Sequence, residues 1–100
     1  MGKRPAEYRL SPAAIRDLES IWLYTLERWG LEQATRYTDE LVAVFNELAE
    51  HPALGTPADH IRKTYRRRRF GRHVIYFHTT DYGIAVIRVL HDRMDLGRNL

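Results

Sequence analysis

The hydrophobic period changes once along this chain, and the place of the change limits the fold more than any other feature. Up to Leu48 apolar side chains return at helical spacing; from Thr64 onward they come in strand-like runs, with turn residues between. Ile15, Leu18, Trp22, Leu26 and Trp29 fall within about 60° of one another on a wheel of about 100° per residue. This stripe reads as core, with both tryptophans as packing residues. Ser11-Pro12 reads as the helix start, since Ser11 can accept from a free backbone amide and Pro12 sits where its missing N–H costs nothing. Gly30 supplies the stop, after which Ala34, Tyr37, Leu41, Val44, Phe45 and Leu48 repeat the period until His51-Pro52 breaks it. The two stripes predict a helical hairpin that needs a third surface to cover its apolar faces.

That surface is a sheet. Residues 6–10 alternate modestly and predict a short first strand, and residues 52–59, with Leu54-Gly55-Thr56-Pro57, form a turn-rich connection. Three strands are expected at 64–70, 73–80 and 84–91, with Gly71 and Asp81-Tyr82-Gly83 as hairpin turns. Val74-Ile75-Tyr76-Phe77 and Ile84-Ala85-Val86-Ile87 are apolar on both parities, which makes both strands interior. The order β-α-α-β-β-β predicts an α+β sandwich of two layers, an antiparallel sheet with the helical hairpin on one face. A chain of 100 residues fits one domain, 1–100, with 92–100 as an extended tail.

The composition excludes several kinds of chemistry. Cysteine is absent, which removes disulfides, thiolate nucleophiles and cysteine-held zinc or iron–sulfur centres. No run of 18 apolar residues occurs, and the Met-Gly-Lys-Arg start lacks the apolar stretch of a signal peptide. Position 6 is Ala6, where a myristoylation motif wants Ser or Thr. The expected location is the cytoplasm. Charge is divided: residues 1–59 carry 6 Lys/Arg against 10 Asp/Glu, a net −4, and residues 60–100 carry 10 against 3, a net +7. A basic second half attracts anionic partners such as nucleic acid, a nucleic-acid-bound enzyme or an acidic peptide.

The candidate site is accordingly basic. The histidines are scattered, with His73 and His78 on opposite faces of their strand, and no spacing matches a metal site, so neither metal nor cofactor is expected. Strand parity puts Arg66, Arg68 and Phe70 on one face and Tyr65, Arg67 and Arg69 on the other. Arg88 interrupts an otherwise apolar strand. It either joins His91 and Arg93 on or beside the open sheet face, where phosphates or acidic side chains could bind, or pairs with a helix carboxylate such as Asp17 or Glu40. A metal-free ribonuclease needs a base, an acid and cations. Cations are plentiful, and His91 or Tyr65 could serve as acid or base, but no second His or Tyr follows Met94.

Several segments, taken in order, resemble the ParE toxins of the RelE/ParE superfamily. They are Leu10-Ser11-Pro12-Ala13-Ala14, Ile21-Trp22-Leu23-Tyr24, His51-Pro52-Ala53-Leu54-Gly55, Arg72-His73-Val74-Ile75-Tyr76-Phe77 and Ile87-Arg88-Val89-Leu90-His91-Asp92-Arg93-Met94-Asp95. The resemblance implies a bacterial type II toxin–antitoxin module of the plasmid-stabilisation kind, in which the toxin inhibits DNA gyrase and a ParD-like antitoxin neutralises it in a hetero-oligomer. Its RelE relatives instead cut mRNA on the ribosome, with His and Tyr close to the terminus in some members. This sequence keeps Arg69, Arg88, His91 and Arg93 and lacks those terminal groups, which favours a gyrase-binding poison over a catalyst; a degenerate, non-toxic nucleic-acid binder is the further alternative. Expected target-binding residues are Arg69, Arg88, His91, Asp92, Arg93 and Met94. Leu23 and Tyr24, outside the first helix's stripe, are expected on the antitoxin surface.

Overall fold

The computed structural model describes residues 5–94 and Leu96. Strand β1 (Glu7–Leu10) leads into helix α1 (Pro12–Trp29), which joins α2 (Leu31–Glu50) through Gly30 alone. Ser11 caps α1, its Oγ accepting from Ala14 N at 3.0 Å. Gly30, at φ +91°, closes one helix and opens the next: its N–H donates to Leu26 O and its carbonyl accepts from Ala34 N. A 3₁₀ turn (Pro52–Leu54) and a two-residue strand β2 (Thr56–Pro57) follow, then β3 (Tyr65–Phe70), β4 (His73–Thr79) and β5 (Gly83–His91).

The sheet runs β1-β5-β4-β3-β2. The expected α+β sandwich is present, with two differences. β1 lies parallel to β5, while the other pairs are antiparallel, and β2 adds an edge strand against Arg66 and Arg67 inside the connection read as turns. A two-residue strand containing a proline is below what sequence alternation can reveal. Gly83, at φ +143°, permits the β1–β5 contact: a Cβ there would stand 2.1 Å from Glu7 O.

The helices cover one face. Leu41, Phe45 and Leu48 of α2 meet Ile75, Phe77, Ile84, Val86 and Val89 of the sheet, all essentially inaccessible. At about 1.5–3 kcal/mol for each large side chain fully buried, this cluster supplies most of the hydrophobic drive. The stripe predicted for α2 is the one that packs.

α1 corrects the expectation. Its buried arc is Ala14, Ile21 and Thr25, whereas Trp29 is 70% exposed and Ile15 45%. Thr25 settles its hydroxyl by donating to Ile21 O at 2.7 Å. The conspicuous apolar stripe thus lies to one side of the contact with the sheet.

β5 contains a bulge. Phe77 opposes Val86 and Tyr76 opposes Arg88, leaving Ile87 as the extra residue. Core contacts on β5 therefore step from Val86 to Val89. Where β1 ends at Leu10, side chains from the start of α1 take over its role. Ser11 N donates to Val86 O, Ser11 Oγ donates to Ile87 O at 2.7 Å, and Asp17 Oδ2 accepts from Val89 N at 2.9 Å.

The other sheet face has a smaller core, in which Tyr76, Leu90 and Leu96 are buried with Ile61, Tyr65 and Val74 packed around them. This corrects the extended tail for the part that is described. Asp92 and Arg93 form a turn, Met94 a bend, and Leu96 returns to the sheet. Asp95 and residues 97–100, including Arg98, lie outside the described residues.

Candidate functional site

The four consecutive arginines divide by parity, as the alternation of a strand requires. Arg66 turns toward the connection and holds it, donating to Pro52 O at 3.1 Å and to Gly55 O at 3.1 and 2.7 Å. Arg68 pairs with Glu47 of α2 at 3.1 Å. Arg67 and Arg69 border a groove of about 460 Å³ on the open face, beside the small core. Tyr76, Thr56 and His60 line it from within the sheet and the connection, and Asp92 and Met94 from the turn after β5. Arg69 Nη2 reaches Asp92 Oδ2 at 2.7 Å, from a largely exposed side chain to a largely covered one. Tyr65 stacks on His78 on the same face, ring centres 5.9 Å apart.

Of the residues expected to bind a target, the structure therefore gathers Arg69, Asp92 and Met94 at the groove. Arg93 is exposed in the adjoining turn. Arg88 is elsewhere. Its Nε and Nη2 donate to the two oxygens of Asp17 at 2.7 and 2.8 Å, an arrangement that raises its pKa and ties β5 to α1. Of the two alternatives for Arg88, the pairing with a helix carboxylate is the one present.

His91 also departs from the open face. Its ring meets that of His73 edge-on at 5.7 Å, in register across β4 and β5. His73 in turn lies 2.6 Å, through Nδ1, from the hydroxyl of Tyr37 on α2. Burial and then the neighbouring His91 push the His73 pKa down, and the Tyr37 hydroxyl also donates to Phe70 O at 3.4 Å. Burial likewise pushes the Tyr37 phenol up. His73 and His78 do sit on opposite faces, and among the described residues no cluster of three or more histidine or acidic side chains forms a metal-holding arrangement.

Arg67 at the groove and Leu96 in the small core beside it were not among the expected site residues. Arg67 shares the parity of Arg69 and could have been found by that rule alone. Leu96 could not, because no period announces a single residue that folds back across a sheet. Leu23 and Tyr24 stand on α1, 55% and 58% exposed, well removed in the fold from the groove.

Residues 8–96 match the family described as the ParE toxin of the type II toxin–antitoxin system, parDE. The chain belongs to this family. Toxin ParE1 of Mycobacterium tuberculosis (strain H37Rv) is 45% identical over 96 residues, which cover 95% of this chain and 98% of that one. Toxin ParE1 of Caulobacter vibrioides is 44% identical over 93 residues, 93% of this chain and 96% of that one. Among solved structures, a chain of the chromosomal ParDE system from P. aeruginosa superposes with a TM-score of 0.72 at 16% identity, covering 87% of this chain and 96% of that one. A chain of the RelBE2 toxin–antitoxin complex from M. tuberculosis gives 0.66 at 20%, covering 88% and 99%. At those identities the superpositions speak for the fold alone. The ParE toxin fold expected from the ordered segments is thus established, and no described helix is long and apolar enough to cross a membrane.

Proposed function

We propose that this ParE toxin acts by binding, holding DNA gyrase in its cleaved-DNA state through the open-face groove and the turn after β5, and that a ParD-like antitoxin neutralises it. The carrying observation is the pairing of Arg67 and Arg69 with the Asp92–Met94 turn around one groove on the basic half of the chain. A binding poison needs only a higher affinity for the cleaved complex than for the resealed one, since that difference shifts the population toward breaks without chemistry of its own. Exposed guanidinium groups suit phosphate or carboxylate on such a target.

The antitoxin reading draws on α1. Ile15, Leu23, Tyr24 and Trp29 are exposed, and Leu31 begins α2 in the same condition. Leu23 lies roughly opposite the buried arc on the helical wheel. A partner helix or an ordered tail laid across the hairpin covers these side chains, in line with the toxin–antitoxin systems to which the superposed chains belong.

The test uses the purified full chain with gyrase, DNA and ATP. Linear cleaved DNA should accumulate, and Arg69→Ala combined with Arg93→Ala should reduce it while antitoxin binding persists. Unchanged gyrase turnover, together with cutting of mRNA on translating ribosomes, would support a RelE-like nuclease and end the gyrase reading.

A further inference from the structure

The turn after β5 contains a conflict that one proton resolves. Asp92 Oδ2 is engaged by Arg69, but Oδ1 is shut off from solvent and has no hydrogen-bond partner among the described residues. A donor candidate is His91 Nδ1, 3.1 Å away. That nitrogen already accepts the backbone N–H of Arg93, at 3.2 Å. A ring nitrogen that accepts has no proton to give, so in this arrangement the two bonds exclude each other.

We propose that His91 is a proton-operated selector of the shape of the 91–94 turn. With Nδ1 unprotonated it holds the Arg93 amide; with Nδ1 protonated it donates to Asp92 Oδ1 and releases that amide. The remaining anchors stay in place: Asp92 N donates to Arg72 O at 2.7 Å and Met94 N donates to His91 O at 2.8 Å, so the change is confined to Arg93 and its surroundings.

The neighbourhood favours His91 as the site of the proton. The titratable and charged groups gathered at this end of the sheet are Asp17 on α1, already held by Arg88; Tyr37 and Glu40 on α2; Arg69 on β3; Arg72 in the following turn; His73 on β4; and Asp92 itself. Burial disfavours a charged His73, whose Nδ1 is engaged with Tyr37, whereas His91 is 40% exposed and stands beside a carboxylate. Histidine is also the side chain that ordinarily changes charge between about pH 5 and 8. The change of shape stands independently of the target; its bearing on toxicity, through Arg93 and Met94, rests on the gyrase reading above.

Nuclear magnetic resonance on the full chain tests this without any target. Through a titration from about pH 8 to 5, the Arg93 amide should shift with the midpoint of the His91 ring, and its hydrogen exchange, corrected for intrinsic pH dependence, should speed up several-fold on the acid side. An Arg93 amide that stays put while the His91 ring titrates overturns the proposal. Asp92→Asn removes the charged acceptor and should shrink the acid-side change at the Arg93 amide; an undiminished response in a folded variant counts equally against it. If Asp92→Asn does not fold, the wild-type titration decides alone. A positive result here with no effect on gyrase leaves the selector intact and removes only its functional consequence.

Discussion

Arg88 shows how one side chain can carry the signature of a binding residue and do structural work. Asp17 satisfies two guanidinium nitrogens and the Val89 amide together, and both side chains are mostly covered. Arg88→Ala should therefore cost about 1–3 kcal/mol, because a carboxylate is left largely desolvated without its cation. Asp17→Asn should cost less than Asp17→Ala, since the amide oxygen can still accept from Val89; urea denaturation midpoints of the three variants give the order. Loss of toxicity in Arg88→Ala is then expected to follow loss of fold. Arg69→Ala leaves Asp92, a side chain as covered as Asp17, without its cation and should also lower the denaturation midpoint, so its effect on toxicity, measured as rescue of cell growth at equal expression, is read against a variant matched in stability. The sequence exposed both arginines equally. Which one pairs with a helix carboxylate and which borders the groove is decided by tertiary placement, and the bulge at Ile87 that sets the register of Arg88 leaves no mark in the pattern of apolar residues.

Helix limits and strand order were legible because each is set locally. Ser11-Pro12, Gly30 and His51-Pro52 end or begin elements through backbone properties that tertiary packing does not alter, and the observed elements start and stop there. The inward face of α1 was not legible. Periodicity locates an apolar stripe but does not say what it packs against, and α1 meets the sheet through the small arc of Ala14, Ile21 and Thr25. α2, whose apolar stripe is the one in the core, read correctly because that stripe itself meets both the sheet and α1. Leu23→Glu should consequently weaken the antitoxin complex by at least about tenfold, equivalent to about 1.4 kcal/mol, with little change in the denaturation midpoint of the free toxin. An equal loss in both measurements would place Leu23 in the folding core instead. At the other end of the chain, Gly83→Ala is expected to loosen β1 selectively, raising exchange of the amides that join residues 7–10 to β5, because the new methyl meets Glu7 O in a backbone conformation already unfavourable to alanine.

Burial of Tyr37 and His73 adds a pH-dependent contribution to the stability of the whole molecule at each end of the range. The His73 pKa is lower folded than unfolded, so near and below the ordinary histidine value of about 6.5 the unfolded chain binds more protons. Stability from this group is present above that value and is lost as pH falls. The Tyr37 pKa is raised, so the folded chain holds its proton longer, and its contribution is present below the ordinary tyrosine value of about 10 and lost as pH rises past it. Denaturation midpoints against pH should carry both contributions, and Tyr37→Phe should make the alkaline fall shallower without touching the opposite charge clusters of the two halves. The small core on the open face bears on the same scale: Ile61 and Leu96 come from segments far apart in sequence yet meet over Tyr76, so the groove is walled by tertiary closure and no local motif outlines it. The margin of β5 beyond Leu10 has a last implication for how such molecules behave when crowded. Since a hydroxyl and a carboxylate already occupy positions where an incoming peptide backbone would need to bond, two copies cannot zip together there into a continuous ribbon, and a toxin with little core to spare is protected at that rim from self-association.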